Sequence, residues 1–213
     1  MAALTAGGSV QLGGGARVSN RDARSGARLV HAGAHVSVDG SAELAGPEGT
    51  PVHTLVQEHD AMLGLATMST SLLGATAEAW SHRAVVRRVA GSSPAERGAA
   101  LLAAHAQGFR AFHVDGDVLL DVDHVGAPDQ PVLVVSGHRL ACTRPCRLHG
   151  LVYGDVAIRA AADLQNMTVQ GAVVTRGHHV QAGGGVEYDA QTLERLRQLT
   201  GLLVKVPGSW RDF

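Results

Sequence analysis

Short alternations of apolar and polar residues, each bounded by glycine, fill the start of the chain. "SVQL", "ARV", "ARLV", "HVSV" and "AEL" follow one another between Gly7-Gly8, Gly13-Gly14-Gly15, Gly33 and Gly40, and Pro47 and Pro51 close the series. A period of two punctuated by glycine predicts strands and turns over residues 1–52. From His53 the period lengthens. Leu55, Met62, Leu65, Met68 and Leu72 recur at helical offsets. "SSPAERGAALLAAHAQG" predicts a second helix, with Ser93 as N-cap, Pro94 in the first turn, Glu96 completing a capping box and Gly108 past the end. Residues 53–109 therefore read as a helical insertion.

Strand patterning returns over residues 110–188. "FHVDGDVLLDVDHV", "PVLVVSGHRL", "LVYGDVAI", "MTVQGAVV" and "HHVQAGGGVEY" are β-branched or alternating, and each contains a turn. The stretch from Leu148 to Val180 states one pattern twice. His149-Gly150 leads into Leu151-Val152, and Gln170-Gly171 leads into Ala172-Val173-Val174. Turn glycines at 116, 137, 154 and 177 recur at intervals of roughly twenty residues, the period of a coiled, stacked β architecture. The expectation is a mostly β fold: a short, irregular β-helix (β-solenoid), with the helical insertion between its two blocks of coils. Its sense is taken as right-handed, because the isoleucine-rich hexapeptide of left-handed acyltransferase helices is missing. Asp189 as N-cap, with Leu193, Leu196 and Leu199 on one face, predicts a helix opening the segment 189–213, expected as a lid on an open end. The four segments together make one domain.

Composition sharpens this picture. The chain has 213 residues, 27 of them glycine, with only 3% aromatics, which suits tight, regular stacking. A net charge of −1 and a pI near 6.9 argue against a broadly basic nucleic-acid surface. No apolar run is long enough to span a membrane. The segment "MAALTAGGSVQL" lacks the charged start and apolar centre of a secretory signal. If the protein is exported, its targeting segment is expected upstream of Met1.

Candidate chemistry is sparse. Cys142 and Cys146 in "ACTRPCRL" suit a small disulfide loop, a pair of free thiols or half of a metal site. Asp115, Asp117, Asp121 and Asp123, with Asp129 nearby, are candidate oxygen ligands for calcium, though no EF-hand order is present and turn aspartates are ordinary. His178-His179 is a candidate metal pair. Arg83, Arg87 and Arg88, beside His82, form a basic cluster able to meet an anion such as DNA phosphate, or simply a solvated face. No nucleophile elbow or phosphate-binding glycine motif occurs, so no catalytic residue, cofactor site or firm metal site is assigned.

"FHVDGDVLLD", "DQPVLVVSG", "LHGLVYGDVAI", "VQGAVVTRG", "GGGVEYDAQTLERLR" and the terminal "VPGSWRDF" occur in order. The series resembles the C-terminal halves of bacterial type IV pilus assembly proteins of the PilX-like group. It covers residues 110–213 well and 1–52 more loosely. The resemblance implies a non-enzymatic cell-envelope protein, periplasmic or extracellular. Such a protein would be pilus-associated or minor-pilin-like, supporting assembly, adhesion or DNA uptake. The implied partners are other pilus or minor pilin subunits, with DNA or surface glycans as further ligands. Family members reach the membrane through an N-terminal helix that this chain lacks. Two rival expectations are a polymerising bactofilin-like scaffold, which requires uncapped ends, and a carbohydrate-active β-helix enzyme. The enzyme requires a groove with converging carboxylates, for which Asp115, Asp117, Asp121 and Asp123 are the candidates.

Overall fold

The computed structural model describes residues 2–20, 28–64, 68–155 and 161–200. Leu65, Val156, Ile158 and the tail 201–213, with its "VPGSWRDF" motif, lie outside the described residues. The fold is mostly β. In chain order the strands are β1 (Leu4–Ala6), β2 (Val10–Gly13), β3 (Arg17–Ser19), β4 (Val30–Ala32), β5 (Val36–Val38), β6 (Glu43–Ala45), β7 (Val56–Gln57) and β8 (Val86–Val89), followed by β9 (Ala111–Val114), β10 (Val118–Leu120), β11 (His124–Val125), β12 (Val132–Ser136), β13 (Leu140–Gly154), β14 (Ala161–Thr175) and β15 (His178–Tyr188). The α-helices are α1 (Met68–Leu73), α2 (Ala77–Ser81), α3 (Pro94–Ala106) and α4 (Ala190–Thr200).

These strands form one parallel sheet whose pairings sort into three runs. The first run is β8, β9, β12, the end of β13, the end of β14, β1, β4 and β7. The second is β10, the starts of β13, β14 and β15, then β2 and β5. The third is β11, the middles of β13 and β14, the end of β15, then β3 and β6. Register makes each run an aliphatic ladder. Phe112, Val134, Val152, Val173, Leu4, Val30 and Val56 are successive partners in the first run. Val125, Leu148, Val169, Val186, Val18 and Leu44 are successive partners in the third. All belong to, or pack against, one buried cluster shared by the three runs. Fully burying one such side chain is worth about 1.5–3 kcal/mol.

The stacking order differs from the chain order. The earliest strands, β1 to β3, pair with β14 and β15, so the block 1–45 lies beyond residue 188 rather than before residue 110. Consequently β7 and β8 stand at opposite ends of the first run. The eight strands of that run span about 33 Å at roughly 4.8 Å per step. Residues 58–85 connect the two ends. Among their described residues, Leu63, Leu72, Leu73, Ala77 and Trp80 pack on the outer face of the first run and bury Leu133, Val135, Leu151, Tyr153, Ala172 and Val174. The run is thus buried on both faces, which is why "PVLVVSG" reads as a continuous apolar stretch. Val132 and Val134 point into the shared interior, while Leu133 and Val135 point at the returning segment.

This return also corrects the helical expectation for residues 53–72. A 3-10 turn (Val52–Leu55), strand β7, a second 3-10 turn (Ala61–Gly64) and the short α1 replace one continuous helix. The basic stretch after Ser81 is strand β8 rather than part of a helical insertion, because it edges the first run. α3 forms as expected. The Ser93 hydroxyl accepts from the Glu96 amide at 3.2 Å, and the Glu96 carboxylate accepts from the Ser92 amide at 2.8 Å.

Of the two longer helices, only α4 departs from its expected place. α3 closes an end, its Leu101 and Ala104 joining the shared interior. α4, expected as a lid, instead lies on the side, with Leu196 buried and Leu193 packed among the outer residues of the first run. The cause is the stacking order: the position beyond β15 is already filled by β2 and β3. At the far end Leu55 plugs the interior, 5% exposed.

The doubled motif of the sequence has a geometric origin. Gly150 and Gly171 are register partners, each with φ of 143°, at the corner between the third and first runs. A Cβ on Gly171 would sit 1.9 Å from the Gly150 carbonyl oxygen, and one on Gly150 would sit 1.8 Å from that of Val132. Only glycine fits a left-handed backbone at such an approach. Gly171→Ala is therefore expected to cost about 3 kcal/mol or more. Gly40→Ala, at a turn with nothing within 4 Å of an added Cβ, should leave stability nearly unchanged. Urea unfolding followed by circular dichroism separates the two, and equal losses would refute the corner assignment.

Candidate functional site

The sequence-predicted sites occupy corners and edges of the stack. Cys142 and Cys146 are disulfide-bonded, with Cα atoms 6.1 Å apart. The bridge spans a register break in β13 at the corner between the second and third runs. Both cysteines are buried in the shared interior, while Thr143, Arg144 and Pro145 bulge into solvent. The four aspartates are divided. Asp115 and Asp117 lie on the turn before β10, where Asp115 pairs with His138 at 3.5 Å and Asp117 accepts from the Arg139 amide at 3.2 Å. Asp121 and Asp123 lie on the turn after β10, both paired with Arg144, at 3.6 Å and 3.0 Å. Only the second pair shares an arginine, and a strand separates the two turns.

The basic cluster is brought to the edge of the first run but does not converge. Arg87 and Arg88 are successive residues of β8 and project to opposite faces. The Arg87 guanidinium stands 5.5 Å from the centre of the Phe109 ring. Arg83 lies in the turn between α2 and β8, its amide bonded to the Trp80 carbonyl. His178 and His179 likewise part company. His178 Nδ1 accepts from the Ser9 amide at 2.9 Å, whereas His179 points into the interior and is 1% exposed.

Chemistry that patterning missed collects on the outer face of the third run. Arg17, Ser19, Gln170, Glu187, Tyr188 and Asp189 line a polar cleft of about 280 Å³. Arg147 Nη1 donates to Gln170 Oε1 and to Glu187 Oε2, both at 3.0 Å. Gln170 Nε2 donates to Asp189 Oδ2 at 3.2 Å, and Arg17 pairs with Glu43 at 3.5 Å. Asp189 is also the N-cap of α4, accepting from the Gln191 amide at 2.9 Å and the Thr192 amide at 3.2 Å. Burial pushes its carboxyl up. The hydrogen bonds from Thr192, Gln170 and Gln191 outweigh that and hold it below the ordinary carboxylate value. A glycosidase acid needs the opposite shift. The arrangement suits multivalent hydrogen bonding to a polar partner better than proton transfer. The signal for it lay in residues distant in sequence, such as Gln170, Glu187 and Ser19, which are successive register partners.

A second polar group is internal. Gln181 interrupts the ladder Val118, Leu140, Leu164, Gln181, Leu12 of the second run. Its amide donates to the Met167 and Gly183 carbonyls at 3.1 Å and 2.9 Å, and its oxygen lies 3.3 Å from His179 Nε2. Burial drives the His179 pKa down to about 4, only partly offset by the Gln181 contact. Burial likewise lowers His31, His105, His113 and His149.

No family model, curated protein or solved structure matches this chain.

The buried histidine predicts acid sensitivity of a definite sign. Its folded pKa lies below the ordinary 6.5, so below that pH the unfolded chain takes the proton first. Stability is expected to fall as pH drops from 6.5 toward 4, by on the order of 3 kcal/mol from His179 alone. Urea midpoints measured across that range should slope steeply for the native chain and more gently for His179→Gln. Parallel slopes would show that His179 does not carry the effect.

Proposed function

We propose that the parallel sheet is the wall of a short right-handed β-solenoid and that the chain is a non-enzymatic cell-envelope protein. In this reading it is a type IV pilus-associated, minor-pilin-like component that supports pilus assembly or adhesion. The solenoid reading is supported by three parallel runs that share one interior, with one winding about every twenty residues. Its hand follows from the strong preference of parallel crossovers for the right-handed sense.

One observation carries the location: the Cys142–Cys146 bridge is buried within the stack. Structural disulfides persist in oxidising compartments and are rare in the cytosol. The ordered motifs of residues 110–200 support the pilus assignment through their resemblance to PilX-like assembly proteins. The polar cleft at Arg17, Gln170, Glu187 and Asp189 supports a binding surface for a partner subunit or a surface glycan. Against an end-to-end polymer stands α3, which seals one end with Leu101 and Ala104. Against a glycan-cleaving enzyme stands the division of its candidate carboxylates, Asp115 and Asp117 on one turn and Asp121 and Asp123 on another. DNA capture is the weaker branch, because Arg87 and Arg88 face apart.

Cell fractionation with thiol trapping tests the reading. The protein is expected in the envelope and in sheared pilus preparations, with both cysteines unreactive toward a maleimide until a reductant is added. A cytosolic protein with two reactive thiols would overturn the proposal.

A further inference from the structure

The structure assigns a second binding site, independent of the reading above: His35, Glu58 and His59 form a three-ligand site for a divalent transition-metal ion of the zinc class. Among the described residues they are the one set of three or more histidine, cysteine, aspartate or glutamate ligand atoms lying within 4.8 Å of one another. His35 immediately precedes β5, and Glu58 and His59 follow β7 at the beginning of the returning segment. The fold joins these two stretches of chain at the far end of the stack.

The geometry fits coordination. His35 Nδ1 and Glu58 Oε1 are 3.4 Å apart. Two ligands at about 2.0–2.1 Å from a tetrahedral ion stand roughly 3.3–3.4 Å from each other. The His35 and His59 rings face each other at 6.4 Å between centres, inclined by 26°. Backbone bonds hold the two stretches of chain together, and one of them fixes the Glu58 carboxylate. Glu58 Oε1 accepts from the Val36 amide at 2.6 Å. The His59 and Asp60 amides donate to the Ala34 and Ala32 carbonyls at 3.2 Å and 3.1 Å. His59 takes a left-handed φ of 57°, which turns its side chain out of the strand pattern. Two imidazoles and one carboxylate select zinc, cobalt, nickel or copper over calcium or magnesium, which prefer oxygen ligands alone. His35 and His59 are exposed and Glu58 is half-buried, so water or a group from a partner completes the coordination shell. A bound ion would clip the returning segment to the β4–β5 corner.

The test uses the full chain carrying no histidine tag, stripped with a chelator. Calorimetric titration with zinc should show one equivalent bound, and cobalt should give the visible absorption of a low-coordinate site. His35→Ala and His59→Ala should each weaken zinc binding at least tenfold, and Glu58→Gln should weaken it too. His53→Ala, a nearby exposed histidine outside the cluster, should bind as the native chain does. Zinc should raise the thermal midpoint of the native chain and not that of the His35→Ala/His59→Ala double variant. Absence of binding to the native chain, or undiminished binding to a folded double variant, would overturn the assignment.

Discussion

Parallel, in-register pairing is the constraint on which the molecule rests. Each strand must offer its amides to the strand before it while placing its aliphatic side chains above those of the same neighbour. Where both conditions hold, ladders such as Val125, Leu148, Val169, Val186, Val18 and Leu44 follow. Neither condition suffices alone. A strand of three residues, as many of these are, cannot hold its backbone entropy against a single partner. Held between two partners, with its inward residue fully buried, it can. Corners must then repeat as faithfully as strands, and Gly150 over Gly171 shows how close the backbones come.

The returning segment follows from the same constraint. Once the strands of residues 4–45 pair beyond β15, the chain must travel back along the whole stack to begin β8. A connection of that length over a polar surface would be a long loop with little to bury. Here the outer face of the first run supplies Leu133, Val135, Leu151 and Tyr153, and the segment answers with Leu72, Leu73 and Trp80. α4 uses the same face through Leu196. Tyr153 and Trp80 are among the largest fully buried side chains, so the scarce aromatics are spent on this outer layer as well as inside.

Much of the local structure was legible because its causes are local. Ser93, Pro94 and Glu96 specify the start of α3 through bonds between near neighbours. Alternation in "HVSV" and the glycine-led repeats identify strands. What sequence patterning missed depends on distant partners. Strand β1, "LTA", has too few residues to show a period, and it exists because Val173 and Val30 lie on either side of Leu4. The helical spacing of Leu55, Met62 and Leu72 is real in sequence, yet Leu55 and Leu72 serve different clusters and Met62 is 72% exposed. The place of α4 was misread for the same reason: an amphipathic helix specifies that it will cover something, and the stacking order decides what. The polar cleft was invisible because Gln170, Glu187 and Ser19 come together only through strand pairing.

The internal polar pair shows how such a stack guards its register. A ladder of valines and leucines tolerates slippage, since one aliphatic contact replaces another at little cost. Gln181 does not. Its amide reaches the Met167 carbonyl of β14 at one register only, and a shift along the strand would break that bond, while the bond to Gly183, within β15, would move with it. A buried amide N–H left without its acceptor costs about 1–3 kcal/mol. That penalty falls on every misaligned arrangement of β15 between β14 and β2 and is absent from the native one. The alignment of β15 matters because, with β14, it joins the two blocks of the stack across the largest break in chain order. A purely aliphatic residue there would bury more apolar surface and leave the seam less uniquely aligned.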